Sequence, residues 1–201
     1  MRKQITALML ILSVCFSSVV YAESEQAQMS KQAEETTEMT EEQKQQEKEN
    51  LALKNFVMKK NVSLTEGAAE NIVRSIRSAS EKYGVDAEMI AAVIWIESNF
   101  DPNTVSGQCI GLMQIHVNTG KSLGLSRADL YNSDLSIKYG VKYLSGHIAM
   151  YKGDVMKALS AYNQGTGRVN SGNYSTWYQE KVQERWNKVE EFVKQHLENN
   201  R

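Results

Sequence analysis

Apolar residues recur along this chain at helical spacing and almost nowhere at the period of two that a half-buried strand needs. Ala69, Ile72, Val73, Ile76, Ala79 and Tyr83 fall three and four residues apart, which predicts a helix from about Glu66 with Gly84 as its stop. Ser63-Leu64-Thr65-Glu66 ahead of it matches a capping box, in which Ser63 and Glu66 satisfy each other's backbone N–H groups. Asp86 marks the next helix start. From Met89 to Ile96 the run is almost wholly apolar, so this helix must be buried on nearly every side. Glu97 lies three residues after Ile94, four after Val93 and seven after Ile90, and therefore projects from their face. Pro102 is expected to end this helix and to push Asp101 toward extended geometry.

The rest of the pattern is also helical. Leu51–Asn61 reads as a short lead-in helix and Asn118–Leu123 as another. Asn132-Ser133 can cap a helix whose apolar stripe is Ile137, Val141, Leu144, Ile148 and Tyr151, with Gly140, Tyr143 and His147 on a second face. Glycine at 140 permits close approach by a neighbouring helix or a ligand. Gly153-Asp154 breaks that helix and caps one carrying Val155, Ala158, Leu159 and Tyr162. A glycine-bearing loop spans Gly165–Gly172, and a last helix from about Thr176 turns Tyr178, Val182, Val189, Phe192, Val193 and His196 inward. The expected fold class is mainly α, with no repeats and one domain over residues 51–201.

Two stretches escape this pattern. Residues 1–22 read as a signal peptide: Arg2 and Lys3, then a largely apolar run, then Val20-Tyr21-Ala22 at a cleavage position. An uncleaved membrane anchor is the alternative. Residues 23–50 are an acidic low-complexity tether, disordered or a solvated helix, with nine glutamates against three lysines. The whole chain carries −1. With Arg2 and Lys3 ahead of the tether, residues 51–201 keep about +3. That mild excess suits an anionic polymer but is too small to argue from alone, and no nucleic-acid partner is expected. Export places the chain in the periplasm, cell wall or extracellular space. Removing the signal leaves Cys109 as a single cysteine, which excludes an internal disulfide and reads as a small loop residue rather than a nucleophile. Three scattered histidines suggest no metal spacing, so no metal and no cofactor are expected.

Glu97 carries the candidate chemistry. Losing water raises a carboxyl's pKa, so a glutamate on an apolar face can hold and release a proton near neutrality. The plainer alternative is a glutamate that reaches back to solvent or caps a neighbour. Most glycosidases need two carboxylates flanking the scissile bond. Asp101 is the nearest second one, and its place before proline favours a turn.

Glu97-Ser98, a short Asp-Pro loop, and then Gly111-Leu112-Met113-Gln114-Ile115 resemble the core of the soluble lytic transglycosylases, the SLT family, relatives of goose-type lysozyme that cut peptidoglycan. Gly140-Val141-Lys142-Tyr143-Leu144 resembles the family's glycine-x-x-tyrosine-leucine helix. Ala161-Tyr162-Asn163-Gln164-Gly165 resembles a further element that usually reads Ala-Tyr-Asn-Ala-Gly, so Gln164 is a departure. The resemblance covers roughly Glu66 to Val182.

It implies a lysozyme-like fold and a reaction with one carboxylate. Glu97 would protonate the oxygen linking N-acetylmuramic acid to N-acetylglucosamine, while the substrate's N-acetyl group stabilises the sugar centre. Glu97 would then take the proton of the muramic C6 hydroxyl as that oxygen attacks C1, leaving a 1,6-anhydro end. The resemblance places Ser98, Gln114, Tyr162 and Asn163 in the substrate cleft, where hydroxyls and amides meet a sugar's own hydroxyls and amides. Met113 is expected as adaptable apolar lining and Tyr143 as a further contact. A hydrolytic muramidase of the same fold and a non-catalytic peptidoglycan-binding scaffold are the alternatives. The expected partners are peptidoglycan glycan strands and an envelope-spanning secretion or conjugation complex, with the chain a monomer.

Overall fold

The computed structural model describes residues 39–199, so the signal reading and residues 23–38 of the tether lie outside the described residues. The chain divides into two units, residues 1–46 and 47–201. The described part of the first is the opening of helix α1, Glu41–Lys60. Thr40 caps it: Gln43 N–H donates to Thr40 Oγ1 at 3.2 Å, and Thr40 N–H to Gln43 Oε1 at 2.9 Å. This is the reciprocal capping-box arrangement. The helix thus starts earlier than the expected lead-in, and its exposed first turns lie within the acidic tract.

In the second unit α1 turns Ala52, Leu53, Phe56 and Val57 into the core. Helix α2, Glu66–Tyr83, buries the expected Ala69, Ile72, Val73, Ile76 and Ala79 and stops at Gly84 with φ 64°. Its cap differs from the expected one. Thr65 rather than Ser63 accepts from the backbone, at Ala68 N, and Glu66 pairs with Lys54 at 2.7 Å. The registers are two residues apart, and Thr65 wins because its backbone already sits in the extended geometry that a cap needs.

Helix α3, Ala87–Ser98, is the centre of the domain. Asp86 Oδ1 accepts from Met89 N at 2.8 Å, and the residues from Met89 to Ile94 are all buried. The helix packs against α2 and against the last helix, α8, Trp177–Asn199. It ends before Pro102 has any say: Asn99 takes φ 50° and Phe100 φ 62°. Asparagine tolerates this left-handed geometry. Phe100 is held there by full burial against Phe56 and by Asn61 Nδ2, which donates to its carbonyl at 3.2 Å.

The loop beyond is not wholly irregular. Strands β1 (Val105–Ser106), β2 (Cys109–Ile110) and β3 (Ile115–His116) form an antiparallel sheet, pairing Val105 with Ile110, Ser106 with Cys109 and Cys109 with His116. Strands of two residues have no room to show alternation, so the pattern that marks the chain as mainly α does not reveal them. Helix α4, Val117–Ser122, follows, capped by His116 Nδ1. Helix α5, Ser133–Met150, is capped by Asn132 and packs on α2 and on α6, Val155–Gln164, which Asp154 caps. A short α7, Thr166–Asn170, leads toward α8. Among the described residues no helix is long and apolar enough to cross a membrane.

Candidate functional site

Glu97 sits in the last turn of α3, half-buried among apolar neighbours. Burial raises its pKa from the ordinary 4.5 to about 7, against the opposing pull of a hydrogen bond from Tyr178. Tyr178, at the start of α8, is almost fully buried and donates its hydroxyl to Glu97 Oε1 at 2.5 Å. No neighbouring ionised group contributes to the shift; burial and Tyr178 account for it. At neutral pH the carboxyl is therefore divided between its protonated and ionised forms, and can give a proton in one step and take one in the next.

Cys109 and Tyr162, like Tyr178, lie within electrostatic reach of Glu97. Burial first, and then its charge, push up the Cys109 thiol and the Tyr162 and Tyr178 phenols. The two tyrosines thus keep their hydroxyl protons and act as donors. Cys109 is a free thiol on β2, and its raised pKa suits an inert residue better than a nucleophile.

The structure gathers Ser98, Met113, Gln114 and Tyr162 at the Gly111–Ile115 segment, with Tyr143 beside Tyr162, and leaves Asn163 outside this set. Ser98 is buried, and its hydroxyl donates to the carbonyls of Ile94 at 3.1 Å and Leu112 at 2.9 Å, tying the end of α3 to the Gly111–Ile115 segment. Met113 is fully enclosed. Its sulfur lies where a Cβ on Gly140 would come within 2.5 Å, so the close approach permitted by that glycine is used by this methionine. The Met113 carbonyl accepts from Tyr162 OH at 2.7 Å. Gln114, at φ 46°, donates Nε2 to Gly111 O at 2.9 Å and to Thr104 O at 3.0 Å, while its buried Oε1 meets no protein donor. Asn163 is exposed at the end of α6. Tyr143, on α5, sets its ring 5.7 Å from that of Tyr162 and 4.4 Å from that of His147. Asp101 Oδ1 accepts from Asn103 N at 2.9 Å, the turn-forming bond its place before proline suggested.

The sequence marks Tyr178 only as an inward-facing residue of α8. The available signal was chemical: a buried tyrosine hydroxyl must find a partner. Nothing in the sequence chooses Glu97, 81 residues away. The bond yields an expected result. Removing the donor in Tyr178→Phe takes away the one influence holding the Glu97 pKa down, so its midpoint should move above about 7. A carboxyl-detected NMR titration of the variant reads this directly.

Among the described residues no group of three or more His, Cys, Asp or Glu converges as a metal site. Comparison with known proteins adds the lineage. The model of the Transglycosylase SLT domain matches residues 74–184. A transglycosylase of Enterobacteria phage PRD1 is 38% identical over 109 residues, covering 54% of this chain and 40% of that protein. Peptidoglycan transglycosylase gp16 of Escherichia phage T7 is 36% identical over 101 residues, 47% of this chain and 8% of that one. Membrane-bound lytic murein transglycosylase C of Photorhabdus laumondii is 39% identical over 111 residues, 47% of this chain and 31% of that one. The chain thus spans less than half the length of each of these relatives. The matched segment takes in more than half of the chain and every candidate site residue from Glu97 to Tyr178, and the chain belongs to the transglycosylase SLT domain family.

Proposed function

We propose that the chain is a peptidoglycan lytic transglycosylase with Glu97 as its single acid and base. The observation that carries this reading is the Glu97 carboxyl, raised to about 7 by burial and touched by the Tyr178 hydroxyl. A group of that pKa can protonate a glycosidic oxygen and recover a proton from an attacking hydroxyl at the same pH. Asp101, the nearest second carboxylate in sequence, is engaged in its own turn, which favours a route needing only one. The relatives named as peptidoglycan and lytic murein transglycosylases supply the substrate class.

In the proposed reaction Glu97 gives its proton to the oxygen between N-acetylmuramic acid and N-acetylglucosamine, and the C1–O bond breaks. The substrate's own N-acetyl group stabilises the oxocarbenium-like centre. The ionised Glu97 then accepts the C6 hydroxyl proton as that oxygen bonds to C1. A 1,6-anhydro end forms, no water is consumed, and the carboxyl is protonated again. Ser98, Gln114, Tyr162 and Asn163 would shape the cleft, with Met113 and Tyr143 behind it. The setting we propose is the cell envelope, reached by export through residues 1–22, with residues 23–50 as a spacer. There a monomer opens the wall locally for a secretion or conjugation apparatus. Normal assembly of every envelope-spanning machine in a strain lacking the protein would rule out that setting.

The chemistry is tested by mass spectrometry of peptidoglycan digested with the chain and with Glu97→Gln. The expected products are anhydromuropeptides from the native chain alone. Reducing-end products, heavier by one water, would make it a hydrolase. Binding without cleavage would leave a scaffold.

A further inference from the structure

We propose that Gln164 is a positioning residue for Glu97, acting through Tyr178. Its meaning for catalysis rests on the lytic reading above; its test does not. Gln164 closes α6, and its side-chain amide meets one residue of the segment entering α8 at two points. Nε2 donates to Ser175 O at 2.7 Å, and Ser175 N–H donates to Oε1 at 2.9 Å. An amide side chain offers a donor and an acceptor side by side, as this pairing needs. An alanine, the residue usual here in the motif that this stretch resembles, makes neither bond.

The clamp sits at the base of an excursion whose other backbone bonds are local, Ser171, Gly172 and Asn173 N–H donating to the carbonyls of Gly167, Val169 and Arg168. Residues 171–177 are exposed apart from a half-buried Tyr174, and the short α7 is pinned to α5 by the Tyr151 hydroxyl, which donates to Asn170 Oδ1 at 3.0 Å. Segments with few buried contacts open first. Ser175 also ties down the entry to α8, since its Oγ accepts from Trp177 N at 3.2 Å. One turn earlier on α6, the fully buried Ser160 donates to Gln179 Oε1 at 2.7 Å. Residues four apart on α6 therefore grip residues 175 and 179, on either side of Tyr178.

That grip matters because of what Tyr178 does. Its hydroxyl stands 2.5 Å from Glu97 Oε1, and a bond so short weakens steeply as its ends part or tilt. Burial and this bond together set the carboxyl's pKa. A small displacement of the first turn of α8 is therefore read out as a rise in the Glu97 titration midpoint. Without the Gln164 clamp, Ser160 makes the remaining side-chain bond from α6 to this turn, beside the packing of Tyr178 and Val182 in the core. The Gln164–Ser175 pair completes the hold and keeps the acid poised near neutrality.

The experiment is a carboxyl-detected NMR titration of Glu97 in the full chain. It compares the native chain, Gln164→Met, Tyr178→Phe and the double variant. Methionine keeps the length of the side chain and loses both bonds. The native midpoint is expected near 7. Gln164→Met should move it up by roughly half a pH unit and Tyr178→Phe by at least as much. The double variant should match Tyr178→Phe alone, because the route runs through the tyrosine. A midpoint unmoved in Gln164→Met, even with a lowered melting temperature, would reduce Gln164 to a loop clasp. A shift that persists on top of Tyr178→Phe would equally overturn the proposed route. The titration needs no substrate, so a chain that titrates as expected yet yields no anhydro product would refute the lytic reading and not this one.

Discussion

Replacing Glu97 by glutamine should abolish cleavage while making the protein more stable above neutral pH. General acid–base catalysis by one positioned group contributes about 10²–10⁴-fold, and here one group serves both proton transfers. We therefore expect a fall of about 10³–10⁴-fold in the release of soluble muropeptides, with peptidoglycan binding retained. The stability gain follows from the same burial. In the unfolded chain this carboxyl ionises above 4.5; in the folded one it holds its proton up to about 7. Between those values the folded state binds more protons, so stability falls as pH rises from 4.5 to about 7, and the penalty is complete above that. The size of the shift corresponds to on the order of 3 kcal/mol. Glutamine carries no charge to desolvate and still offers an oxygen to the Tyr178 hydroxyl. Urea unfolding of both chains should therefore show curves that diverge across this window, the variant ahead at pH 8 and level at pH 4. Equal stability at both pH values would mean that Glu97 is ionised and well solvated when folded, and would remove the physical basis of its role.

Gly111→Ala should be the most damaging single methyl in the domain. A Cβ there would lie 2.0 Å from the Leu130 carbonyl oxygen and 3.0 Å from Ser136 Oγ. The obstacle is backbone, in the short 3₁₀ turn Asp129–Tyr131, whose Leu130 side chain is itself buried. The position also has φ +81°, which costs an L-residue about 1–2 kcal/mol before any clash. Together with overpacking, the expected loss is about 3–4 kcal/mol. Gly153→Ala separates the two effects. It has φ +91° and nothing within 4 Å, so only the conformational part, about 1–2 kcal/mol, should appear. The damage at Gly111 should also reach function. Its carbonyl accepts from Gln114, and Ser136 Oγ accepts from Met113 N at 3.2 Å, so the segment that Ser98 and Tyr162 bond loses its anchors. A urea midpoint for Gly111→Ala no lower than that of Gly153→Ala would show that the loop gives way freely and does not hold the site.

Much of the helical framework was legible from local pattern, because a helix reports its buried face every three or four residues. Asp86, Asn132 and Asp154 cap as read, and the stripe of α2 is buried as read. Errors fell where competing local signals were a residue or two apart, as at Ser63 and Thr65, or where a segment was too short for any period, as in the three small strands. The end of α3 shows a third cause. Pro102 is a strong stop signal, yet Asn99 and Phe100 turn the chain first, because Phe100 gains a place beside Phe56 in the core.

The candidate site divides along the same line. The apolar face behind Glu97 and the ordered motifs from Gly111 to Asn163 can be read from sequence, since each is a property of neighbouring residues. Whether the carboxyl lost its water, and what touched it, depended on α8 arriving from the far end of the chain. Ser98 and Met113 look equally available in sequence. Only packing showed that one ties two backbone carbonyls and that the other is enclosed against Gly140. Tyr178 and Gln164 carry no local mark of their partners. By itself the sequence determined which residues could be buried and which could exchange protons, because those are matters of side-chain chemistry and spacing. The tertiary structure alone decided which hydroxyl meets Glu97, because that choice is made by contacts between segments that are distant along the chain.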